Sequence, residues 1–184
     1  MPQEHRYPRP GFNELRDGYR LSLVNAQHLF EAATLTLEQL PSAALGLAQL
    51  GQEELGKSFA FLSAFGFEDD EPAWKQFWKD WRHHGRKSYA AFLYEWLNPL
   101  RIGVRLSDGK STEGEGLRAS IPLEKEAAFY VNWDEKSGVF LSPRASIHPA
   151  EAFARVTTVL SMGLTAQSVY TTLTGTDPEF RLKA

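Results

Sequence analysis

A repeating stripe of apolar residues constrains this chain more than any other feature of its sequence. Between Phe12 and Leu37 the apolar side chains recur every three or four residues, which is the spacing of one helix face. Similar stripes recur in later segments, each bounded by proline, glycine or a short polar turn. The sequence therefore predicts long helices, and their predicted bounds are residues 13–38, 42–65, 72–97 and 149–173.

Two short β-prone runs, FYVNW and VFLSP, flank the turn DEKSG before the last predicted helix. This pattern predicts one small hairpin near residues 128–142, supported by the helices. The polar, glycine-rich SDGKSTEGEG, within residues 99–122, predicts a mobile loop. Long helices joined by short turns favour an all-α antiparallel bundle with a β-hairpin insertion. The predicted organisation is an irregular arm over 1–11, one helical domain over 12–175 and a tail over 176–184.

The composition excludes several classes of protein. With 20 basic and 23 acidic residues the net charge is −3, which is not that of a globally basic nucleic-acid coat. The absence of cysteine excludes disulfides, thiolate metal sites and cysteine nucleophiles, and it fits a reducing cytosol. We expect neither a signal peptide nor a membrane span, because residues 1–12 contain no apolar run and no apolar run of the sequence is long enough to cross a membrane. We therefore expect a soluble cytoplasmic protein with no membrane association.

Charged residues interrupt the apolar stripe of the second predicted helix. Glu54 follows Leu47 by seven residues, so it shares the phase of the buried face. Lys57 follows Leu50 by the same interval and can pair with Glu54 at i,i+3. The neighbouring Glu53 is predicted to lie nearer the polar edge. The pair is either a boundary salt bridge with a snorkelling lysine or part of a functional site.

The third predicted helix repeats this anomaly. His84 follows Trp81 by three residues, so it falls on the aromatic stripe, and Lys87 follows it at i+3. Histidine titrates near neutral pH and is the natural proton carrier. If the two helices face each other, the polar breaks form one cluster with at least one carboxylate–cation contact. The members of this predicted cluster are Glu54, Lys57, His84 and Lys87.

The third predicted helix also contains basic residues interleaved with tryptophans. Such a surface suits a phosphate backbone and stacked bases, although the simpler interpretation is a solvated face whose aromatic rings pack. The candidate RNA-binding residues are Lys79, Arg82 and Arg86. We expect no metal and no cofactor, because the sequence lacks HExxH, Glu-x-x-His pairs, cysteine and a glycine-rich phosphate loop.

Three stretches of the chain together resemble a known protein family. They are NAQHLFEAATL at residues 25–35, ALGLAQLGQEELGK at residues 44–57, and HHGRK, whose His-x-x-Lys element falls on His84 and Lys87. They are similar to helices of the AbiV family of abortive-infection proteins, within the HEPN superfamily. The FYVNWDEKSGVFLSP segment looks like the YV-D…P segment of that family. The resemblance covers roughly residues 15–170.

The resemblance implies an all-α HEPN bundle, often dimeric, with a role in bacterial defence against phage. HEPN proteins are frequently metal-independent ribonucleases with an Arg-x4-6-His motif at a dimer interface. Here no arginine stands five, six or seven positions before any of the five histidines. Lys79 stands five positions before His84, as a lysine variant of that spacing.

Two functions are compatible with these features. In a metal-independent ribonuclease, a 2′-hydroxyl would attack the adjacent phosphate with His84 as general acid or base. Lys57 and Lys87 would stabilise phosphate charge, and Glu54 would orient or tune them. In a non-catalytic interaction module the same cluster would be structural, and a phage or host protein partner would carry the effect. We expect a homodimer in either case, because two-fold dimers are the commonest oligomers.

Overall fold

Helices and one short hairpin make up the part of the chain that the structure describes. This computed structural model describes residues 7–97, 128–130, 132–134, 136, 138–143 and 147–175. The helices are α1 (Phe12–Thr36), α2 (Pro41–Ala64), α3 (Glu71–Trp81), α4 (His84–Leu97) and α5 (Pro149–Thr174). The strands β1 (Asn132–Asp134) and β2 (Val139–Leu141) pair antiparallel just before α5. The predicted all-α fold with a small hairpin is confirmed.

Helix α2 lies at the centre of the bundle, where it packs against α1, α4 and α5. Its buried residues go well beyond a single stripe, because alanine and glycine occupy positions where neighbouring helices come close. The main core between these helices includes large side chains with almost no exposure, among them Tyr19, Phe30, Leu55 and Tyr94. A central position for α2 means that polar side chains on more than one of its faces are buried.

A second, separate core holds α3 against the end of the bundle. Trp74 and Phe77 are buried there with Leu15 of α1 and Ala64 of α2. The ring of Phe77 lies 4.9 Å from that of Trp78 in an edge-to-face contact. This cluster packs α3 against α1 and α2.

The prediction of a single helix over residues 72–97 is wrong, because the helix is interrupted between Trp81 and His84. The His83 N–H donates to the carbonyl of Asp80 at 2.9 Å, which closes the last turn of α3. The carbonyl of His83 accepts from the N–H of Lys87 at 3.2 Å, which opens α4. Two histidines and a glycine stand at this break, and all have weaker helix propensity than the flanking residues.

The N-terminal arm is fastened to α3. The Trp78 Nε1–H donates to the carbonyl of Pro8 at 2.8 Å, and the Arg9 guanidinium lies 2.8 Å from a carboxylate oxygen of Asp69. The predicted loop within residues 99–122 and the tail over 176–184 lie outside the described residues, as does most of the arm. The domain boundaries stay a prediction. None of the described helices combines the length and hydropathy that a membrane span needs.

Candidate functional site

The candidate site lies where the middle of α2 meets the first turns of α4. At Gly56 the two backbones touch, because a Cβ there would overlap the carbonyl oxygen of Lys87. One turn earlier, the Gln52 side-chain amide donates to the carbonyl of Ser88 at 3.0 Å. These two contacts fix how α4 sits on α2, so that Glu53 faces the start of α4.

Glu53 joins α2 to His84. Its Oε2 lies 2.6 Å from Nδ1 of the imidazole, within hydrogen-bond distance. The Glu53 side chain is only 7 % exposed, whereas the His84 side chain is 67 % exposed. A buried carboxylate therefore holds one nitrogen of a ring that otherwise faces solvent. Such an arrangement fixes the orientation of the ring and leaves Nε2 accessible.

Lys87 of α4 is the third member of this group. Its Nζ lies 3.9 Å from the same Glu53 oxygen, and its side chain is 9 % exposed. Burying a carboxylate is costly unless a positive charge or hydrogen-bond donors accompany it. Lys87 supplies a charge of that kind beside Glu53. We call Glu53, His84 and Lys87 the α2–α4 cluster.

Glu54 and Lys57 form a separate ion pair on α2. Both side chains are partly exposed, and the Lys57 ammonium lies 5.6 Å from the centre of the Trp81 ring. The pair therefore connects α2 to the end of α3 rather than to α4. Among the contacts of the described residues, neither Glu54 nor Lys57 touches His84.

The four predicted site residues thus fall into two groups. His84 and Lys87 come together, but around Glu53 instead of Glu54. The prediction that Glu53 lies at the polar edge is wrong, because α2 is buried on several faces and Glu53 faces α4. A signal for this was present in the sequence. Gly56 stands three residues after Glu53, and small residues on a helix often mark close approach of a neighbouring backbone.

The predicted RNA-binding residues lie along the end of α3 and the start of α4. Lys79, Arg82 and Arg86 are all exposed. The Arg86 guanidinium pairs with Asp80, and the Arg82 Nε–H donates to the carbonyl of Trp78 at 3.2 Å. Exposed cations therefore border His84 in the sequence.

The tryptophans of α3 serve packing. Trp74 is buried, and the ring of Trp81 lies 5.7 Å from that of Phe77 and 4.9 Å from that of Phe61. The Lys57 ammonium also lies over the face of the Trp81 ring, in a cation–π contact. The simpler interpretation of the aromatic residues, that they pack together, accounts for these contacts.

Behind the α2–α4 cluster, a buried chain of hydroxyl groups crosses the bundle. The Ser58 Oγ lies 2.8 Å from the Tyr94 hydroxyl, which donates to the Tyr19 hydroxyl at 3.2 Å. The Tyr19 hydroxyl donates to the carbonyl of Ala166 on α5 at 3.4 Å. Burial raises the pKa of Tyr19 to about 12 and raises the pKa of Tyr94 well above its ordinary value. Both tyrosines are therefore neutral in the folded protein near neutral pH, and their hydroxyls link helices.

Within the described part of the chain, no group of three or more His, Asp or Glu side chains is placed to hold a metal ion. The sequence model of one protein family, HEPN_AbiV, described as AbiV, matches residues 14–162, which is more than half of the chain. The matched region contains all residues of the α2–α4 cluster and the Glu54–Lys57 pair. Comparison with curated proteins and with solved structures gives no significant match.

Proposed function

Because the chain belongs to the AbiV family of the HEPN superfamily, we propose that it acts in abortive infection by cleaving RNA with His84 as the proton-transfer residue. The family itself indicates a role in defence against phage. The ribonuclease step is our own proposal. The observation that carries it is the 2.6 Å contact between the His84 imidazole and the buried Glu53 carboxylate.

A carboxylate bound to Nδ1 prepares the imidazole for acid–base work. It favours the tautomer with the proton on Nδ1, so the lone pair of Nε2 points away from the carboxylate. It also stabilises the imidazolium that forms when Nε2 takes up a proton. Because the His84 side chain is 67 % exposed, a substrate can approach Nε2 from solvent.

The proposed reaction needs only the RNA and this histidine pair. Nε2 of His84 takes the proton of a 2′-hydroxyl, whose oxygen then forms a bond to the adjacent phosphorus. The bond from phosphorus to the 5′-oxygen breaks, and that oxygen takes a proton from water or from a protonated imidazole. The products are a 2′,3′-cyclic phosphate and a 5′-hydroxyl. No metal takes part in this proposal.

Exposed cations would bring the RNA to this surface. Lys79, Arg82 and Arg86 are exposed beside His84 in the chain. The start of α4 at His84 adds the partial positive charge of a helix N-terminus. Lys57 is 23 % exposed and is also available to a phosphate, with Glu54 holding its ammonium in place.

The test is cleavage of total RNA by the purified protein in EDTA. We expect the wild type to cut RNA, His84→Ala to be inactive and Glu53→Gln to be strongly impaired. His83→Ala is the matched control, because His83 is the adjacent exposed histidine and should retain activity. RNA that stays intact with the wild type would refute the ribonuclease proposal.

A second candidate function, a non-catalytic interaction module, is favoured by the outer face of α5. From Val156 to Thr174 this helix carries no charged residue, yet one side of it is exposed, including Leu164 and Leu173. Exposed helix faces of monomeric proteins ordinarily carry charges. We propose that a second copy of the chain covers this face, and in the module interpretation a phage or host protein would bind the resulting dimer.

A further inference from the structure

Lys87 has an unexpected position for a residue predicted to stabilise a phosphate. Its side chain is 9 % exposed, and its backbone carbonyl is packed against Gly56 of α2. The side chain is mostly enclosed between α2 and α4, so little of it is open to a phosphate. The nearby carboxylate oxygen of Glu53, at 3.9 Å, is instead its neighbour inside the protein.

We infer that Lys87 is a positioning residue that acts on His84 through Glu53: its charge keeps the Glu53 carboxylate ionised, and the carboxylate holds the imidazole proton on Nδ1. Nε2 then carries the lone pair that faces solvent. This tautomer follows from an ionised Glu53 at 2.6 Å from Nδ1 with Lys87 at 3.9 Å from the same carboxylate oxygen. The identification of Nε2 as the reactive nitrogen rests on the proposed function.

The charge on Lys87 matters because Glu53 can bind His84 in two opposite ways. An ionised carboxylate only accepts, so Nδ1 must donate and Nε2 has no proton. A protonated carboxyl group would donate to Nδ1, and the proton of the neutral ring would then sit on Nε2. A carboxylate that is 7 % exposed favours the protonated form unless a cation is close. The charge of Lys87 therefore favours the direction in which Nδ1 donates across the 2.6 Å contact.

Among the described residues near the α2–α4 cluster, two other cations have carboxylate partners of their own. Lys57 pairs with Glu54 on α2, and Arg86 pairs with Asp80 at the end of α3. Each of these two cations thus lies closer to a carboxylate other than Glu53. Lys87, packed between α2 and α4, is thus the cation whose removal should change the protonation of Glu53.

The experiment reads the tautomer of His84 directly, by NMR of the protein labelled with ¹⁵N at histidine, at a pH where the ring is neutral. In the wild type we expect Nδ1 to have the chemical shift of a protonated nitrogen and Nε2 that of an unprotonated one. In Lys87→Met, which keeps the length of the side chain and removes its charge, this pattern should reverse or average. Lys79→Met, an exposed lysine on α3, is the matched control and should leave the pattern unchanged.

Two results would overturn the inference. One is a wild-type His84 with its proton on Nε2, and the other is a Lys87→Met variant with the wild-type pattern. If Lys87→Met does not fold, Lys87→Gln decides in its place, since it keeps a polar side chain without the charge. Lys87→Arg should restore the wild-type pattern, which a purely structural role for the lysine would not require.

Cleavage kinetics separate this inference from the proposed function. If the wild type does not cut RNA, the ribonuclease proposal fails while the tautomer result still stands. If the wild type cuts RNA, Lys87→Met should lower kcat at least tenfold with KM within about threefold, because the lysine does not contact the RNA. Arg86→Gln should show the opposite split, with a raised KM.

Discussion

Gly56 and Lys87 touch through the backbone: a Cβ on the glycine would overlap the carbonyl oxygen of the lysine. The contact lies on the EELGK segment of α2, and it explains why that segment has glycine between Leu55 and Lys57. Any other residue at this position would move α4 away from α2. The separation of the two helices, and with it the contact between Glu53 and His84, depends on this one small residue.

Gly56→Ala should therefore destabilise the protein. Alanine improves helix propensity by up to about 1 kcal/mol, but overpacking against a backbone group that cannot rotate away costs about 1–3 kcal/mol. Because the overlap is with backbone atoms, we expect the cost at the upper end of this range and a net loss of about 1–2 kcal/mol in the free energy of unfolding, measured with urea. Gly66→Ala is the control, because a Cβ at Gly66 meets open space. Equal stability of the two variants would show that α4 does not lie against α2 at this point.

The adjacent carboxylates of α2 should differ in their effect on stability. Glu53→Ala leaves the Lys87 ammonium buried without this carboxylate, and loss of one partner of a buried pair costs about 3–5 kcal/mol. Glu54→Ala breaks a more exposed pair and should cost about 1 kcal/mol or less. Thermal and urea unfolding of both variants measure the difference. A larger loss for Glu54→Ala would contradict the placement of Glu53.

Stability should fall at alkaline pH because of the buried tyrosines. The unfolded chain releases a tyrosine proton near pH 10, whereas the pKa of Tyr19 in the folded protein is about 12 and that of Tyr94 is also raised. Above pH 10 the folded state therefore binds more protons than the unfolded state, so raising the pH favours unfolding. Each tyrosine contributes up to about 1.4 kcal/mol per pH unit in this window.

Tyr19→Phe tests this pH dependence. The variant loses one titrating group, so its free energy of unfolding should fall less steeply with pH above 10 than that of the wild type. Urea unfolding at several alkaline pH values gives the slope, and Tyr7→Phe is a control on the arm. Parallel slopes for Tyr19→Phe and the wild type would show that Tyr19 is not protected by burial.

The uncharged face of α5 predicts a homodimer. Light scattering at micromolar concentration should give about twice the chain mass of 20.7 kDa. Leu164→Glu places a charge on the proposed interface and should give the monomer. Leu35→Glu is the matched control, because Leu35 is a more exposed leucine on α1. A wild-type monomer would refute this arrangement, and so would a Leu164→Glu dimer.

Removing exposed cations near His84 should weaken RNA binding and reduce its dependence on salt. Each phosphate contact with single-stranded RNA contributes a slope of about 0.7 in a plot of log affinity against log salt. Lys79→Gln with Arg82→Gln should lower both the affinity and this slope. Arg16→Gln, an exposed arginine on α1, should change neither. Binding isotherms at several salt concentrations measure the effect.

The long helices could be predicted from sequence because each has an apolar stripe along most of its length. The predicted spans 13–38, 42–65 and 149–173 differ from α1, α2 and α5 by at most two residues at either end. The break between α3 and α4 could not be predicted in this way. His84 follows Trp81 at a helical interval, so the sequence pattern continues although the helix is interrupted between these residues.

The structure divides the residues of the predicted cluster: His84 and Lys87 meet Glu53, whereas Glu54 and Lys57 pair with each other. Periodicity places Glu54 on the buried stripe because it assumes that a helix has a single buried face. Helix α2 has neighbours on several sides, so Glu53 is the more deeply buried of the two. Which neighbour a side chain meets depends on how the helices assemble, and a single helix does not carry that information.

The break at Arg82 and His83 also separates two regions of different local stability. Helix α3 rests on a small aromatic cluster at one end of the bundle, whereas α4 contributes Tyr94 to the main core. Opening of α3 therefore exposes little of the main core, so its backbone amides should exchange with deuterium sooner than those in the middle of α2. Substitutions in α3, or its transient unfolding, should consequently leave the contact between His84 and Glu53 in place.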